Sequence, residues 1–446
     1  MSEFTESITS TPAENGVTAE KAKEPPETQA VPETGGPFEK PKAALSNEEV
    51  TSHTASLWKY LPIPADEPEP APEYMSTTAT LPGSKVIAAR VRGKKHKHEG
   101  TNCDDWYEVA NYEHITLAAV SDGAGSKRFS RVGAREACKA SIGYLVSSFE
   151  KLFADKPELR ENLGLSLTDT KCMEACGILV SAVQQSIIKA REAVEAAFYS
   201  RKINPEYEKV LGRGLQFKDL SSTLLIAVMI PIKEIPKEHL VISCQIGDGM
   251  IAILDTKGEF ASSVKLMGVP DSGDFSGETE FLTSPQMGNM EALRHRTKIS
   301  RTAADIVMVM SDGVADDYFP SETETLRLYF DLMINGVLEK QSHGISAAAL
   351  TQAQLKLFKH IPDPLVYPWV NDQSVKIPVQ YTNRIMKSTG LTLKDLWKDP
   401  SILDLVRLEL EETEKTTDPG EKLKKWLDNY VERGSFDDRT LVVITI

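Results

Sequence analysis

After Pro82 the chain breaks into short apolar runs rich in Val and Ile, each bounded by turn residues, and this spacing predicts β-strands. The predicted strands are Lys85 to Val91, Trp106 to Tyr112, Ile115 to Val120, Ser222 to Met229, Leu240 to Ile246, Met250 to Leu254, Ile306 to Met310 and Leu441 to Ile446. Between the third and fourth lie two longer stretches with apolar residues three or four apart. Ser130 to Phe153 carries Ala134, Ala137, Ile142, Leu145, Val146 and Phe149 on one helical face, with Ser130 as its expected N-cap. About Cys172 to Arg201 repeats the spacing with Leu179, Val183, Ile187, Ala190, Val194 and Phe198. Two amphipathic helices between strands predict helices packed on sheet faces, an α+β layered body. A further helical stretch, an insertion at about 325–425, is broken by Pro362, Pro364, Pro368 and Pro378 and is apolar enough to pack on that body.

Residues 1–82 contrast with this pattern. They are rich in Pro, Glu, Thr and Ser, and residues 1–80 carry 14 acidic and 5 basic side chains within a chain of net charge -14. So little apolar surface cannot offset the entropy of ordering, so a disordered acidic tail is expected over 1–82 and the folded domain over 83–446. One island in the tail, Leu57, Trp58, Tyr60, Leu61 and Ile63, reads either as scattered apolar residues or as a segment that docks on a partner or on the protein's own body. The overall acidity argues against nucleic acid as a partner. No apolar run approaches the roughly 18 residues of a membrane span, and the N-terminus lacks the apolar core of a secretory signal. Cytoplasmic residence without membrane attachment is the expectation. Cys103, Cys138, Cys172, Cys176 and Cys244 lack zinc-site spacing and fit reduced thiols.

The candidate chemistry sits at strand ends. Ile115–Val120 runs into Ser121-Asp122-Gly123, and Ile306–Met310 runs into Ser311-Asp312-Gly313. A buried strand that stops at Asp-Gly puts a carboxylate at the sheet edge, and the glycine lets the backbone bend and expose its carbonyl. Both oxygen types suit a hard cation such as Mg or Mn. Asp437-Asp438 enters the last strand, and Asp104-Asp105 enters a strand that should pair as a hairpin with Ile115–Val120, near Asp122. Carboxylates gathered without balancing cations repel one another, and bound cations relieve this. Gly247-Asp248-Gly249, between two apolar strands, reads as a tight hairpin turn.

Ser121-Asp122-Gly-Ala-Gly-Ser126, with Ser130, Gly133 and Ala134 after it, resembles the first metal motif of the type 2C protein phosphatases, above all their bacterial-type subgroup. Ser222-Thr223, Gly247-Asp248-Gly249, Gly277–Thr283, Ser311-Asp312-Gly313 with Asp316, and Asp437-Asp438-Arg439-Thr440 follow in the family's order. The resemblance implies a two-sheet antiparallel β-sandwich flanked by helices, a four-layer αββα body, with a substrate-selecting flap at about 268–296. It implies a role in signalling through metal-dependent hydrolysis of phosphoserine and phosphothreonine in proteins, by a water bridging two of two or three Mn2+ or Mg2+ ions. Asp122, Asp312 and Asp437 would be the catalytic metal ligands, Asp122 bridging, with the Gly123 carbonyl, Asp105 and Asp104 beside them and Asp219 as a possible ligand of a third ion. Where the family places a phosphate-binding arginine, this chain has Gly100. The basic run Arg90, Arg92, Lys95, His96, Lys97 and His98 offers replacements, with Arg128 and Arg131 beside Asp122 as alternative clamps, and His96, Lys97 and Arg128 are the candidates taken forward. Loss of that arginine also keeps open a silent module that binds phosphoproteins, and the carboxylates alone would suit a metal-dependent phosphodiesterase.

Overall fold

The computed structural model describes residues 59–235, 237–268, 279–318, 321–339, 381–400, 403, 417–429 and 436–446. Residues 1–58 of the expected tail, 269–278 of the expected flap and most of 340–416 in the helical insertion lie outside the described residues.

Two antiparallel sheets form the centre. The strands are β1 (Tyr74–Leu81), β2 (Ser84–Val91), β3 (Trp106–Tyr112), β4 (Ile115–Ser121), β5 (Leu224–Pro231), β6 (Glu238–Ile246), β7 (Met250–Leu254), β8 (Val264–Leu266), β9 (Thr297–Ala303), β10 (Ile306–Met310) and β11 (Arg439–Thr445). One sheet runs β1-β2-β11-β10-β7-β8 and the other β3-β4-β5-β6-β9. The helices used below are α1 (Lys94–Glu99), α2 (Ser130–Asp155), α3 (Thr170–Arg201), α4 (Glu322–Ile334) and α5 (Pro419–Asn429).

The central strands read as unbroken apolar runs because both of their faces are buried. In β4, Ala118 and Val120 join Leu225, Ala227, Val307, Val309, Val442 and Ile444 between the sheets. The alternate residues Leu117 and Ala119 face outward onto Phe149 of α2 and Leu179 and Val183 of α3. On the other sheet Met308, Met310, Leu441 and Val443 pack with Leu326 and Phe330 of α4 and Trp426 of α5. The period-two side-chain alternation thus builds three apolar layers from four structural ones, the four-layer α+β architecture expected from the sequence.

Antiparallel register then decides which strand ends meet. Val91 lies opposite Arg439, Met310 opposite both Leu441 and Met250, and Trp106 opposite Ser121. The ends of β2, β4 and β10 and the starts of β3, β7 and β11 therefore share one rim of the sandwich.

The structure corrects three expectations. The folded body begins well before residue 83: β1 pairs with β2 over its whole length, from Tyr74 opposite Val91 to Leu81 opposite Ser84. Ahead of it, residues 59–73 form a strap fastened by polar side chains that a hydrophobicity count misses. Glu67 pairs with Arg128 and Arg131, Glu73 with Arg92, and Glu69 accepts from Arg135, Arg201 and Tyr207. Of the apolar island, Leu57 and Trp58 lie outside the described residues, whereas the Leu61 N–H donates to the Lys97 carbonyl at 2.7 Å. Secondly, Ser130 does not cap α2. Phe129 holds the N-cap position, and the Ser130 hydroxyl donates back to the Lys127 carbonyl at 2.8 Å. Thirdly, Gly247-Asp248-Gly249 is no hairpin turn, because β6 and β7 belong to different sheets and the segment carries the chain between them.

Burial alone would raise the Glu69 carboxyl, but hydrogen bonds from Arg201, Tyr207 and Arg135 hold it down at about 2. Glu69→Ala should therefore destabilise the fold by about 1–3 kcal/mol in urea unfolding at neutral pH. A depressed carboxyl stabilises above its unfolded value of 4.5 and loses that contribution as pH falls towards 2, so the gap between variant and wild type should close on acidification.

Candidate metal centre

The rim collects carboxylates because every strand boundary there except the end of β2 carries one. Asp122 follows β4 directly, and its position is fixed from two sides: its N–H donates to the Thr223 hydroxyl at 2.8 Å, and its carbonyl accepts from the Thr223 N–H at 2.8 Å. Asp312 opens a one-turn helix just after β10. Asp248 precedes β7. One carboxylate oxygen from each of Asp122, Asp248 and Asp312 lies within 4.8 Å of the others.

These groups are half-buried by surface, yet crowded enough that their charges are costly. Burial, then the charges of Asp312 and Asp105, push the Asp122 carboxyl well above the usual range. Burial, then Asp248 and Asp105, do the same to Asp312. Asp105 is wholly buried, and its Oδ2 accepts from the Ser311 hydroxyl at 2.8 Å and the Thr440 hydroxyl at 2.6 Å. Burial and the Asp438 charge still raise it to about 6.

Beside this trio stands a second, interlocked group. Asp438 accepts from the Gly93 N–H at 2.6 Å, from the Asp104 N–H, and pairs with His96 Nδ1 at 2.9 Å. Burial works to raise Asp438, and His96 with these donors overcomes it and holds the carboxyl low. The same partnership carries His96 up to about 10 although burial opposes its charge. Asp104 is raised to about 7, mainly by burial, partly relieved by His96. Asp437 is left outermost, 41% exposed, with its Oδ1 accepting from the Asp438 N–H at 2.9 Å. Two glycines make the crossing possible: a Cβ on Gly93 would lie 2.3 Å from the Asp437 carbonyl carbon, and one on Gly313 would lie 2.0 Å from the Asp438 carbonyl oxygen.

The donor set fits hard divalent cations. Buried Oδ1 atoms of Asp104, Asp105 and Asp248 have no hydrogen-bond partner, and a buried lone carboxylate oxygen is expensive to leave unmade. Asp122, Asp248 and Asp312 could hold ions directly, with Asp437, Asp105 and the Gly123 carbonyl adjoining. Asp104 belongs instead with His96 and Asp438.

The structure does not bring every expected residue to the site. Asp219 is buried in a bidentate pair with Arg213, at 2.7 Å to each oxygen, and also accepts from the Gln216 N–H at 2.8 Å, so both oxygens are spent on capping a short turn. The three expected phosphate ligands are also spoken for: His96 on Asp438, Lys97 on Asp428 and Arg128 on Glu67. Each desolvated cation found a carboxylate first. Asp248 is the residue that sequence reasoning missed. Asp-Gly is such a common turn signal that its order among the other motifs was the only clue.

A family model described as protein phosphatase 2C matches residues 92–356, and so ends before Asp437. Among solved structures, RsbX in complex with magnesium aligns over 83% of this chain and 99% of its own, at 10% identity and a TM-score of 0.34. The serine/threonine phosphatase Stp1 from Staphylococcus aureus aligns over 87% and 98%, at 12% identity and 0.34. A serine-threonine phosphatase 2C from Toxoplasma gondii aligns over 84% and 99%, at 12% identity and 0.36. No curated protein matches.

Replacing Asp248 with Asn should weaken Mn2+ binding, read by calorimetry, by about tenfold or more, whereas Asp219→Asn should leave it unchanged. A carboxyl whose native pKa exceeds its unfolded value binds its proton more tightly when folded, so native stability falls as pH rises through that range. For Asp105 and Asp104 the loss runs from 3.8 to about 6 and about 7, and His96 adds to it above 6.5. Chelator-treated protein should therefore melt lower at about pH 7.5 than at about pH 5.5, and excess Mn2+ should narrow the difference.

Proposed function

Because the chain belongs to the protein phosphatase 2C family, whose model matches more than half of its 446 residues, we propose that it hydrolyses phosphoserine and phosphothreonine in proteins with the help of divalent cations. The observation that carries this reading is the meeting of Asp122, Asp248 and Asp312 within 4.8 Å on an accessible rim, with their charges unbalanced. Divalent cations supply Lewis acidity there: they lower the pKa of a bound water and offset charge developing on phosphoryl oxygens.

The protein's own part is to hold the carboxylates still. Thr223 clamps the Asp122 backbone on both its N–H and its carbonyl, which aims the side chain outward from the end of β4. Ser311 and Thr440 occupy Oδ2 of Asp105 and so present its Oδ1 to the trio. His96 absorbs the charge of Asp438, which leaves Asp437 facing the site. Cys103, Cys138 and Cys244 are buried, and burial pushes each thiol up, away from the thiolate that a nucleophile needs.

Among the described residues, no helix is long and apolar enough to cross a membrane. Membership of the protein phosphatase 2C family is the ground for proposing a phosphorylated protein as the substrate, met at the open rim.

The test is hydrolysis of a phosphothreonine peptide with Mn2+ or Mg2+. Chelator should abolish turnover, and Asp312→Ala should lower kcat/KM by about a hundredfold or more. Negligible turnover in every sample would favour the silent phosphoprotein-binding module, to which the absent arginine at Gly100 points. Cleavage of a phosphodiester but not of the peptide would favour the phosphodiesterase instead.

A further inference from the structure

A rim made of carboxylates can hold cations, but a phosphoryl dianion also needs a protein cation that is not already neutralised. Around the rim nearly every basic side chain is committed. Arg92 is paired with Glu73, Lys97 with Asp428, and Arg128 and Arg131 with Glu67. Arg90 is buried, donating to the carbonyls of Asp105 and Pro72.

Lys95 is different. A Cβ on Gly125, in the loop that follows Asp122-Gly123, would lie 3.9 Å from Lys95 Nζ and 3.9 Å from Asp437 Oδ2. The ammonium thus lies against the metal-motif loop, on the same side as the Asp437 carboxylate. No described carboxylate comes within ion-pair distance of it, and the side chain is half-buried.

Its position is built into the backbone. The Lys95 N–H donates to the Phe436 carbonyl at 2.9 Å, and the Gly93 N–H donates to Asp438 Oδ1 at 2.6 Å. These bonds pin the first turn of α1 to the residues that lead into β11. Where Lys95 sits relative to Asp437 is therefore set by main-chain contacts rather than by a flexible loop. Lys127, a second lysine on the motif loop without an ion pair among the described residues, bears on Asp219 instead.

We infer that Lys95 binds the phosphoryl group of the substrate, in place of the phosphate-binding arginine for which this chain has Gly100. This rests on the phosphatase reading and adds a binding residue to it. Gly100 itself cannot be that cation, and it serves as the left-handed end of α1, at φ 72°. As a point charge Lys95 favours any phosphate monoester presented over the metal trio, and leaves selection of the peptide to other surfaces.

The test separates phosphate binding from turnover. Binding of inorganic phosphate to the Mn2+-loaded protein is read by calorimetry, alongside peptide kinetics, for wild type, Lys95→Met, Lys95→Arg and Lys127→Met. Lys95→Met should weaken phosphate binding and raise KM for the peptide, each by about tenfold, with Mn2+ affinity and melting temperature unchanged. Lys95→Arg should recover most of the loss, and Lys127→Met should behave as wild type. Wild-type phosphate affinity in Lys95→Met, or a change confined to Mn2+ affinity, would overturn the inference and make Lys95 a mere counter-charge to Asp437. Failure of the wild type to bind phosphate would overturn it too. A wild type that binds phosphate through Lys95 without turning the peptide over would sink the catalytic reading and leave this one standing.

Discussion

Asp438 is the point on which the site's geometry depends. Its buried carboxylate receives the Gly93 N–H before α1, the Asp104 N–H before β3 and the His96 ring. The short stretch from Gly93 to Asp104 is thereby tied to the start of β11, 334 to 345 residues later. The desolvation cost of burying such a group is offset because each oxygen has a donor and His96 carries the opposing charge. Asp437, one residue earlier, inherits its outward position from this knot.

The opposite condition holds a few ångströms away. Among the described residues Asp122, Asp248 and Asp312 make no ion pair, and burial with the charges of neighbouring aspartates raises Asp122 and Asp312. A fold that satisfies Asp438 so completely, yet leaves Asp104, Asp105 and Asp248 each with an unpartnered buried oxygen, shows uneven treatment of like groups. The first carboxylate is structural, and the others each keep an oxygen open to a ligand that would supply positive charge.

Charge pairing also explains how the body extends beyond its apolar sequence signal. Glu67, Glu69 and Glu73 in the strap neutralise arginines on α2, on α3 and just after β2. The acidic residues that made this stretch look like a tail are the ones that fasten it. The same pairing removes Arg128 and Arg131 from the pool of phosphate ligands, so the strap bears on the site without touching it.

By itself the sequence determined the two-faced central strands, the two long helices, and the placing of Asp122 and Asp312 at strand ends, because all of these follow from local periodicity and from Asp-Gly punctuation. Their family resemblance was legible for the same reason, since ordered short motifs survive in one dimension. Tertiary structure alone decided which charges are free. That Asp248 joins the trio, that Asp219 is consumed by Arg213, and that His96, Lys97 and Arg128 are each paired while Lys95 is not depends on which sheet each strand enters and which side chains meet across it. Pairing energies fall off over a few ångströms, and no spacing along the chain encodes distances between strands that are neighbours only after folding.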